Sequence, residues 1–260
     1  LTAHDIHPPL YYTLLHSWLV TFQSAQPLVL RLFSTLIGLL ALPLLAWLAH
    51  LFFPTRPRLP LLATLLLVFN PLHLFYSQEV RMYGLAMLLS MVSTIFFWQL
   101  VGQVEQKSPK LSLWLGYIIT ASLALYTLYY LALLLLAHFL WAGWHFRQRR
   151  HVLVRLLLAD VVVAILYLPW LLYAGPKLIQ YIGAKVHSDN DTPLTLFNYL
   201  SRHLLAFTAG HITAANLLTR VLSFAGLAAI SLLFIHAQIK PKPTQHGAKI
   251  PPSGAPSEPR

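Results

Sequence analysis

The chain has 260 residues, of which 57% are hydrophobic and only 10% are charged, with a mean hydropathy of +0.64. Soluble domains carry about 25% charged residues, so the composition excludes an ordinary soluble domain and favours a polytopic membrane protein. The chain contains no cysteine, which excludes disulfide bonds and thiolate chemistry.

The first predicted element is a short apolar helix from Leu10 to Phe22, which follows the polar opening "HDIHPP". A helix of that length reaches about 20 Å, whereas the hydrocarbon core of a bilayer is about 30 Å thick. The run also contains His16 and Ser17. We therefore predict an amphipathic helix lying in the exterior interface, within a first exterior loop formed by residues 1–27.

The double proline in this opening indicates a rigid entry into the helix. Pro8 favours an extended conformation at His7, and Pro9 can occupy the first turn of the helix that follows. We expect this arrangement to hold Asp5 and His7 above the helix, with Tyr11 and Tyr12 at the level of the lipid headgroups.

The remaining apolar runs predict an all-α bundle with about seven membrane spans between residues 28 and 236. Together with the first loop they form one membrane domain, 1–236. The segment 237–260 is rich in Pro, Lys, Gln and Ser and is predicted to be a disordered cytoplasmic tail. The predicted spans are 28–53, 59–76, 82–103, 111–127, 130–146, 153–173 and 214–236.

The distribution of basic residues predicts the orientation of the spans. Twelve of the 18 Lys and Arg residues fall in one set of alternate loops and the tail, and six fall in the other set. Cytoplasmic loops are the basic ones, so the first set is predicted to be cytoplasmic. The net charge of +11 is thereby explained by topology, and we expect no nucleic-acid partner. The predicted location is the cell membrane, with the remaining loops exterior.

Two of the seven acids are predicted to share the exterior face. Asp5 lies beside His7, and Glu79 lies beside Arg81 in "FYSQEVRMYG". Acids, an imidazole and a guanidinium at one membrane face can hold a metal-bridged anion such as a lipid phosphate. One of these acids can also act as a general base. The spacing is equally compatible with a plain junction of loop and helix carrying solvated histidines.

Three segments in order carry a resemblance to a known group of enzymes: "D-x-HPPLYY", "LRLFSTLIGLLALPLL" and "NPLHLFYSQEVRMYGLAMLL". Over roughly residues 4–140 the chain resembles glycosyltransferase family 39 and the RgtA/B/C/D-like group, which are membrane enzymes of the GT-C type. The resemblance implies transfer of a monosaccharide from a polyprenyl-phosphate donor to an exterior acceptor, either a lipid-linked glycan or a protein hydroxyl. It implies that the loop with Asp5 and the loop with Glu79 line the active site. Membrane lipid is expected to surround both loops.

On this resemblance each candidate residue has an expected role. A divalent cation is a tentative cofactor. The expected catalytic residues are Asp5 and Glu79, which are also the tentative metal ligands, and the expected substrate-binding residues are His7, Tyr11, Arg81 and Tyr83.

The chain departs from the pattern of these enzymes at its beginning. They usually carry an acid just after a first span, upstream of the His-Pro-Pro element, and that acid is the expected base. The chain begins at Leu1, after this point. We therefore expect an N-terminally truncated fragment that holds half of an active site and is itself inactive if nothing precedes it.

Two other classes of protein remain open from the sequence. A transporter or flippase would place a polar cavity near mid-membrane around Asp160, although no internal repeat supports the paired halves of such proteins. A non-catalytic membrane scaffold would make Asp5 and Glu79 dispensable.

Overall fold

The computed structural model describes residues 7–105, 110–188 and 195–210, together with a few single positions between 221 and 232. The described residues form helices and contain no strand, which confirms the predicted all-α class. The described residues up to 210 belong to a compact unit that covers Leu1–Ile212. The helices are α1 Leu10–Phe22, α2 Pro27–Phe52, α3 Arg58–Val68, α4 Pro71–Gln78, α5 Tyr83–Glu105, α6 Leu111–Leu125, α7 Ala132–His145, α8 Arg150–Ser188 and α9 Leu196–Ala209, with a 3₁₀ turn at Tyr129–Leu131.

Three of the described helices are long and apolar enough to cross a membrane: α2, α5 and α8. The pair α3 and α4 adds a fourth candidate if this bent pair is counted as one span. The prediction of seven spans is therefore not supported. Helices α6 and α7 have 15 and 14 residues, so each is only about 21–23 Å long. The predicted span 214–236 lies outside the described ranges.

The single span predicted at 59–76 is broken. Helices α3 and α4 meet at a bend of 60°. Pro71 stands in the first turn of α4, and the Asn70 side chain accepts a hydrogen bond from the His73 amide at 2.9 Å. Proline cannot continue the hydrogen bonding of a preceding helix, and Asn is a favoured N-cap, so the sequence here starts a new helix.

Helix α1 occupies the residues predicted for it, but the structure does not support an amphipathic helix lying flat in an interface. Tyr11 and Leu15 are buried against the bundle, while Leu14 and Val20 are exposed alongside His16. Apolar residues thus face both sides of α1. The helix is held to the bundle instead, and the Trp18 indole donates to the Val29 carbonyl at 3.0 Å.

Two apolar clusters hold opposite ends of the bundle. One joins α1 to the start of α5 through buried residues that include Tyr11, Ile37, Met82 and Leu85. The other lies toward the end of α5 and joins α6, α7 and the start of α8. Since α5 enters both clusters, it is the central helix, and the first cluster brings α1 beside the loop that carries Glu79 and Arg81. The second cluster contains Phe97, Leu100, Val101, Tyr117, Ala142, Phe146, Val152, Leu156 and Ala159.

Candidate functional site

The candidate site is built on the short connection between α4 and α5. Met82 is only 2% exposed, and Val80 also packs on the first cluster. Glu79 and Arg81 do not belong to that cluster, and their side chains are 28% and 57% exposed. The Arg81 amide donates to the Glu79 carbonyl at 2.9 Å, which closes a three-residue turn. The buried Met82 and the partly buried Val80 therefore anchor the turn that carries the two charged side chains.

Glu79 and Arg81 form an ion pair at this turn. The distance from Arg81 Nε to Glu79 Oε1 is 3.1 Å, with Arg81 57% exposed and Glu79 28% exposed. A hydrogen bond to Tyr83, and then the Glu79 carboxylate, raise the pKa of the Arg81 guanidinium above its usual range. Arg81 is therefore a fixed positive charge, and a guanidinium has more N–H donors than these two partners use.

Tyr11, a predicted substrate-binding residue, is fully buried. Its hydroxyl shares a hydrogen bond with Ser34 Oγ at 2.7 Å. Burial raises the pKa of this hydroxyl, the hydrogen bond to Ser34 opposes that effect, and the Tyr12 and Glu79 charges add to it. Tyr11 thus lies near Glu79 but cannot contact a substrate from this position. The side chain faces the bundle, and its expected place at the headgroup level stays a prediction.

Tyr12 was expected at the headgroup level with Tyr11 but was not among the expected substrate-binding residues. It is half-buried, and it is near enough to Arg81 to influence the pKa of that group. Adjacent residues of a helix lie about 100° apart around the axis, so only one tyrosine of the "YY" pair can face inward. The sequence shows both tyrosines, but which of the two is buried depends on where α2 packs against α1.

The His-Pro-Pro element joins α1 to another turn of the bundle. Pro8 is fully buried, and Pro9 is the N-cap of α1. The Leu10 amide donates to the Tyr126 carbonyl at 3.0 Å, in the connection after α6. His7 is half-buried. Asp5 lies outside the described residues, so its predicted approach to Glu79 stays a prediction.

A cavity of about 320 Å³ opens beside the charged turn. Its wall is largely apolar, with Leu72 and Met87 among the lining residues, and it also contains His73. Tyr83 lines the cavity as well, and its ring lies 4.6 Å from that of Tyr76. Because Tyr83 also bonds Arg81, the cavity and the fixed charge are neighbours. The sequence did not indicate this cavity, since the α3–α4 bend and α9 help to form it.

The described residues do not fit a divalent cation. They contain no group of three His, Asp or Glu side chains that could hold a metal ion. The one described acid at the site, Glu79, is already paired with Arg81. A cation would have to compete with that guanidinium for a single carboxylate, so no chemical step is assigned to a metal here.

Asp160 lies elsewhere in the bundle and has a protein partner. The Tyr117 hydroxyl donates to Asp160 Oδ1 at 3.0 Å. Tyr117 in turn packs near His138, whose Nε2 lies 3.2 Å from Thr94 Oγ1. Asp160 does not line the cavity at the charged turn. The bond between Tyr117 and Asp160 links α6 to α8, which gives Asp160 a role in helix packing.

No family model, no curated protein and no solved structure matches this chain. The function proposed below is supported by the geometry of the site and by the motif resemblance.

Proposed function

We propose that this chain belongs to a membrane glycosyltransferase that moves a monosaccharide from a polyprenyl-phosphate donor to an acceptor hydroxyl. The observation that carries the proposal is the paired Arg81 and Glu79, presented beside a largely apolar cavity with tyrosines in its wall. A lipid phosphate donor has the matching parts: an anionic group, a sugar, and an apolar chain. The acceptor is a lipid-linked glycan or a protein hydroxyl at the exterior face of the cell membrane.

In the proposed reaction a carboxylate removes the proton of the acceptor hydroxyl. The acceptor oxygen then attacks the anomeric carbon, and the bond between that carbon and the phosphate oxygen breaks. The polyprenyl phosphate leaves with the electron pair. Arg81 stabilises the negative charge that develops on this phosphate, because a preplaced guanidinium needs no reorganisation during the step.

The ion pair divides the roles of the two acids. Glu79 Oε1 accepts from Arg81 Nε, so Glu79 holds the guanidinium in position. The proton acceptor in this proposal is Asp5. His7 and Tyr83 remain proposed substrate contacts, whereas Tyr11 supports the site from beneath. Binding sites for small molecules usually have volumes of about 300–1,000 Å³. The cavity falls in this range, so it suits the sugar or the first part of the lipid.

The test is photo-crosslinking of the full chain in proteoliposomes with a diazirine-bearing polyprenyl-phosphate probe. We expect the crosslinks to map to residues 70–87. Arg81→Gln should reduce the labelling about tenfold, since a hydrogen bond to a charged group contributes about 1.5–3 kcal/mol. Arg81→Lys should retain part of it, because the charge stays while the planar donor set is lost.

The matched control is Arg58→Gln, which removes one exposed arginine outside this site. Its labelling should stay within about twofold of the unchanged chain. Equal labelling in Arg81→Gln and the unchanged chain, with crosslinks outside residues 70–87, would rule the proposal out. It would leave the scaffold interpretation, in which Glu79 and Arg81 are dispensable.

A further inference from the structure

A second cavity lies at the connection between α7 and α8, outside the site described above. It has a volume of about 310 Å³ and is lined by a continuous stretch of the chain, residues 145–149. Arg147 and Arg149 line it and are exposed, and Gln148 lies between them. The lining thus offers two guanidinium groups and an amide, all of which can donate hydrogen bonds.

The loop that forms this cavity is anchored. Phe146 is only 2% exposed and belongs to the second apolar cluster, together with Val152. The Phe146 amide donates to the Ala142 carbonyl, and the Arg149 amide donates to the Phe146 carbonyl, both at 2.7 Å. The Arg149 guanidinium lies 6.0 Å from the centre of the Phe146 ring. The two arginines are therefore attached to a fixed backbone.

The surroundings of the cavity add positive charge. Arg150 and Arg155 are exposed on the first turns of α8. The sequence has no acid between Glu105 and Asp160, and Asp160 is bonded to Tyr117. The 39-residue helix α8 also begins here, and the positive end of a helix dipole favours anions.

Exposed aromatic residues lie next to the residues that line the cavity. Trp144 is 79% exposed. Trp141 is 37% exposed, and its ring stacks on that of His145 at 4.9 Å. Tryptophan is enriched where a membrane meets water, at the depth of the lipid phosphates. If the anionic headgroup of a lipid enters this cavity, the acyl chains of that lipid lie beside these rings.

We propose that this cavity binds the phosphate group of an anionic phospholipid, with Arg147 and Arg149 as its ligands. The two exposed guanidinium groups on an anchored backbone, the positive end of α8 and the neighbouring tryptophans all suit a phosphate attached to a lipid. Free inorganic phosphate offers the same phosphate group to the two arginines, and the experiment distinguishes a lipid phosphate from free phosphate. The inference does not depend on the proposed glycosyl transfer.

The experiment measures the binding of fluorescent phosphatidylglycerol to the full chain, purified in a nonionic detergent and stripped of lipid. Arg147→Gln/Arg149→Gln should weaken the binding about 10- to 30-fold, because each basic residue near an anionic lipid contributes about fivefold in affinity. The control Arg58→Gln/Lys110→Gln removes the same charge from two exposed positions at the starts of α3 and α6 and should change binding by less than about twofold. Phosphatidylcholine, which has no net charge, should bind at least about tenfold more weakly.

A further variant, Gln148→Glu, keeps both arginines and places a carboxylate between them. It should weaken binding as well, and it keeps the test decisive if the double variant fails to fold. Inorganic phosphate added as a competitor identifies the source: displacement at micromolar concentration assigns the site to free phosphate, and no displacement at millimolar concentration assigns it to the lipid. Equal weakening by the two double variants, or equal binding of the two lipids, would overturn the proposal.

Discussion

At the scale of single residues, Tyr11 and Tyr12 show how one local pattern leads to two different environments. Tyr11 is fully buried and bonded to Ser34, whereas Tyr12 is half-buried and acts on Arg81. The rings of the two residues meet edge to face at 5.3 Å. The inner tyrosine therefore fixes the position of the outer one relative to the charged turn.

Replacing Tyr11 by Phe should destabilise the protein, because the Ser34 hydroxyl then loses its partner in a buried place. We expect a loss of about 1–2 kcal/mol in the free energy of unfolding, the usual penalty for an unsatisfied buried polar group. Thermal unfolding in detergent measures the change. The double variant Tyr11→Phe/Ser34→Ala should recover most of the stability, and a double variant as unstable as the sum of both single variants would contradict the assigned hydrogen bond.

Glu79 and Arg81 were predicted as a charged motif from the sequence, and the structure adds that the two side chains form an ion pair. Glu79→Gln keeps the shape of the side chain and removes its charge. Arg81 should then lose its orientation, so labelling by the polyprenyl-phosphate probe should fall about threefold, less than in Arg81→Gln. Crosslinking as described above measures this difference, and a larger loss in Glu79→Gln than in Arg81→Gln would assign the leading role to the acid.

At the scale of helices, small residues decide how closely neighbours pack. A Cβ atom added at Gly116 of α6 would lie 2.6 Å from Phe96 Cδ1 of α5, and one added at Gly38 of α2 would lie 2.8 Å from Ser77 Cβ of α4. Such distances are too short for carbon atoms in contact. In lipid the association of helices depends on close packing, so these glycines set the positions of α4 and α5.

Gly116→Ala should therefore destabilise the contact between α5 and α6 by about 1–3 kcal/mol, since an aromatic ring has to move. Gly143→Ala on α7 is the matched control, because a Cβ atom there meets nothing within 4 Å. It should be neutral or stabilising by up to about 1 kcal/mol, through the gain in helix propensity. Thermal unfolding of both variants tests the packing, and equal melting temperatures would contradict it.

At the scale of the whole described unit, contacts assign the loops to two ends. Phe52, Trp98 and Trp141 meet in a row near the ends of α2, α5 and α7, with centroid distances of 4.7 and 5.4 Å. The connection after α6 meets the start of α1 at the other end, through the Leu10 amide. The ends of α2, α5 and α7 thus lie together, and the connections after α2 and α7, which both belong to the more basic set, are at the same end of the described unit. Which end faces the cytoplasm stays a prediction.

The absence of cysteine allows this orientation to be measured. Gln148→Cys and Ala25→Cys place single thiols at exposed positions of opposite ends. In intact cells a membrane-impermeant maleimide should label Ala25→Cys, and it should label Gln148→Cys only after permeabilisation. Labelling of both thiols in intact cells would refute the predicted topology, and the reverse pattern would invert it.

The sequence by itself determined the helical class, the ends of most helices and the presence of a charged motif next to aromatic residues. These properties depend on hydrophobicity, proline position and helix periodicity, which act over a few residues. Tertiary structure decided the rest: the bend between α3 and α4, the burial of Tyr11, the cavity beside Tyr83 and the pairing of Asp160 with Tyr117. Each of these depends on which helix lies opposite, because a side chain is buried or left exposed by its neighbours in space. An apolar run shows that a segment avoids water, but lipid and protein satisfy that requirement equally well, so the number of spans could not be derived from hydropathy alone.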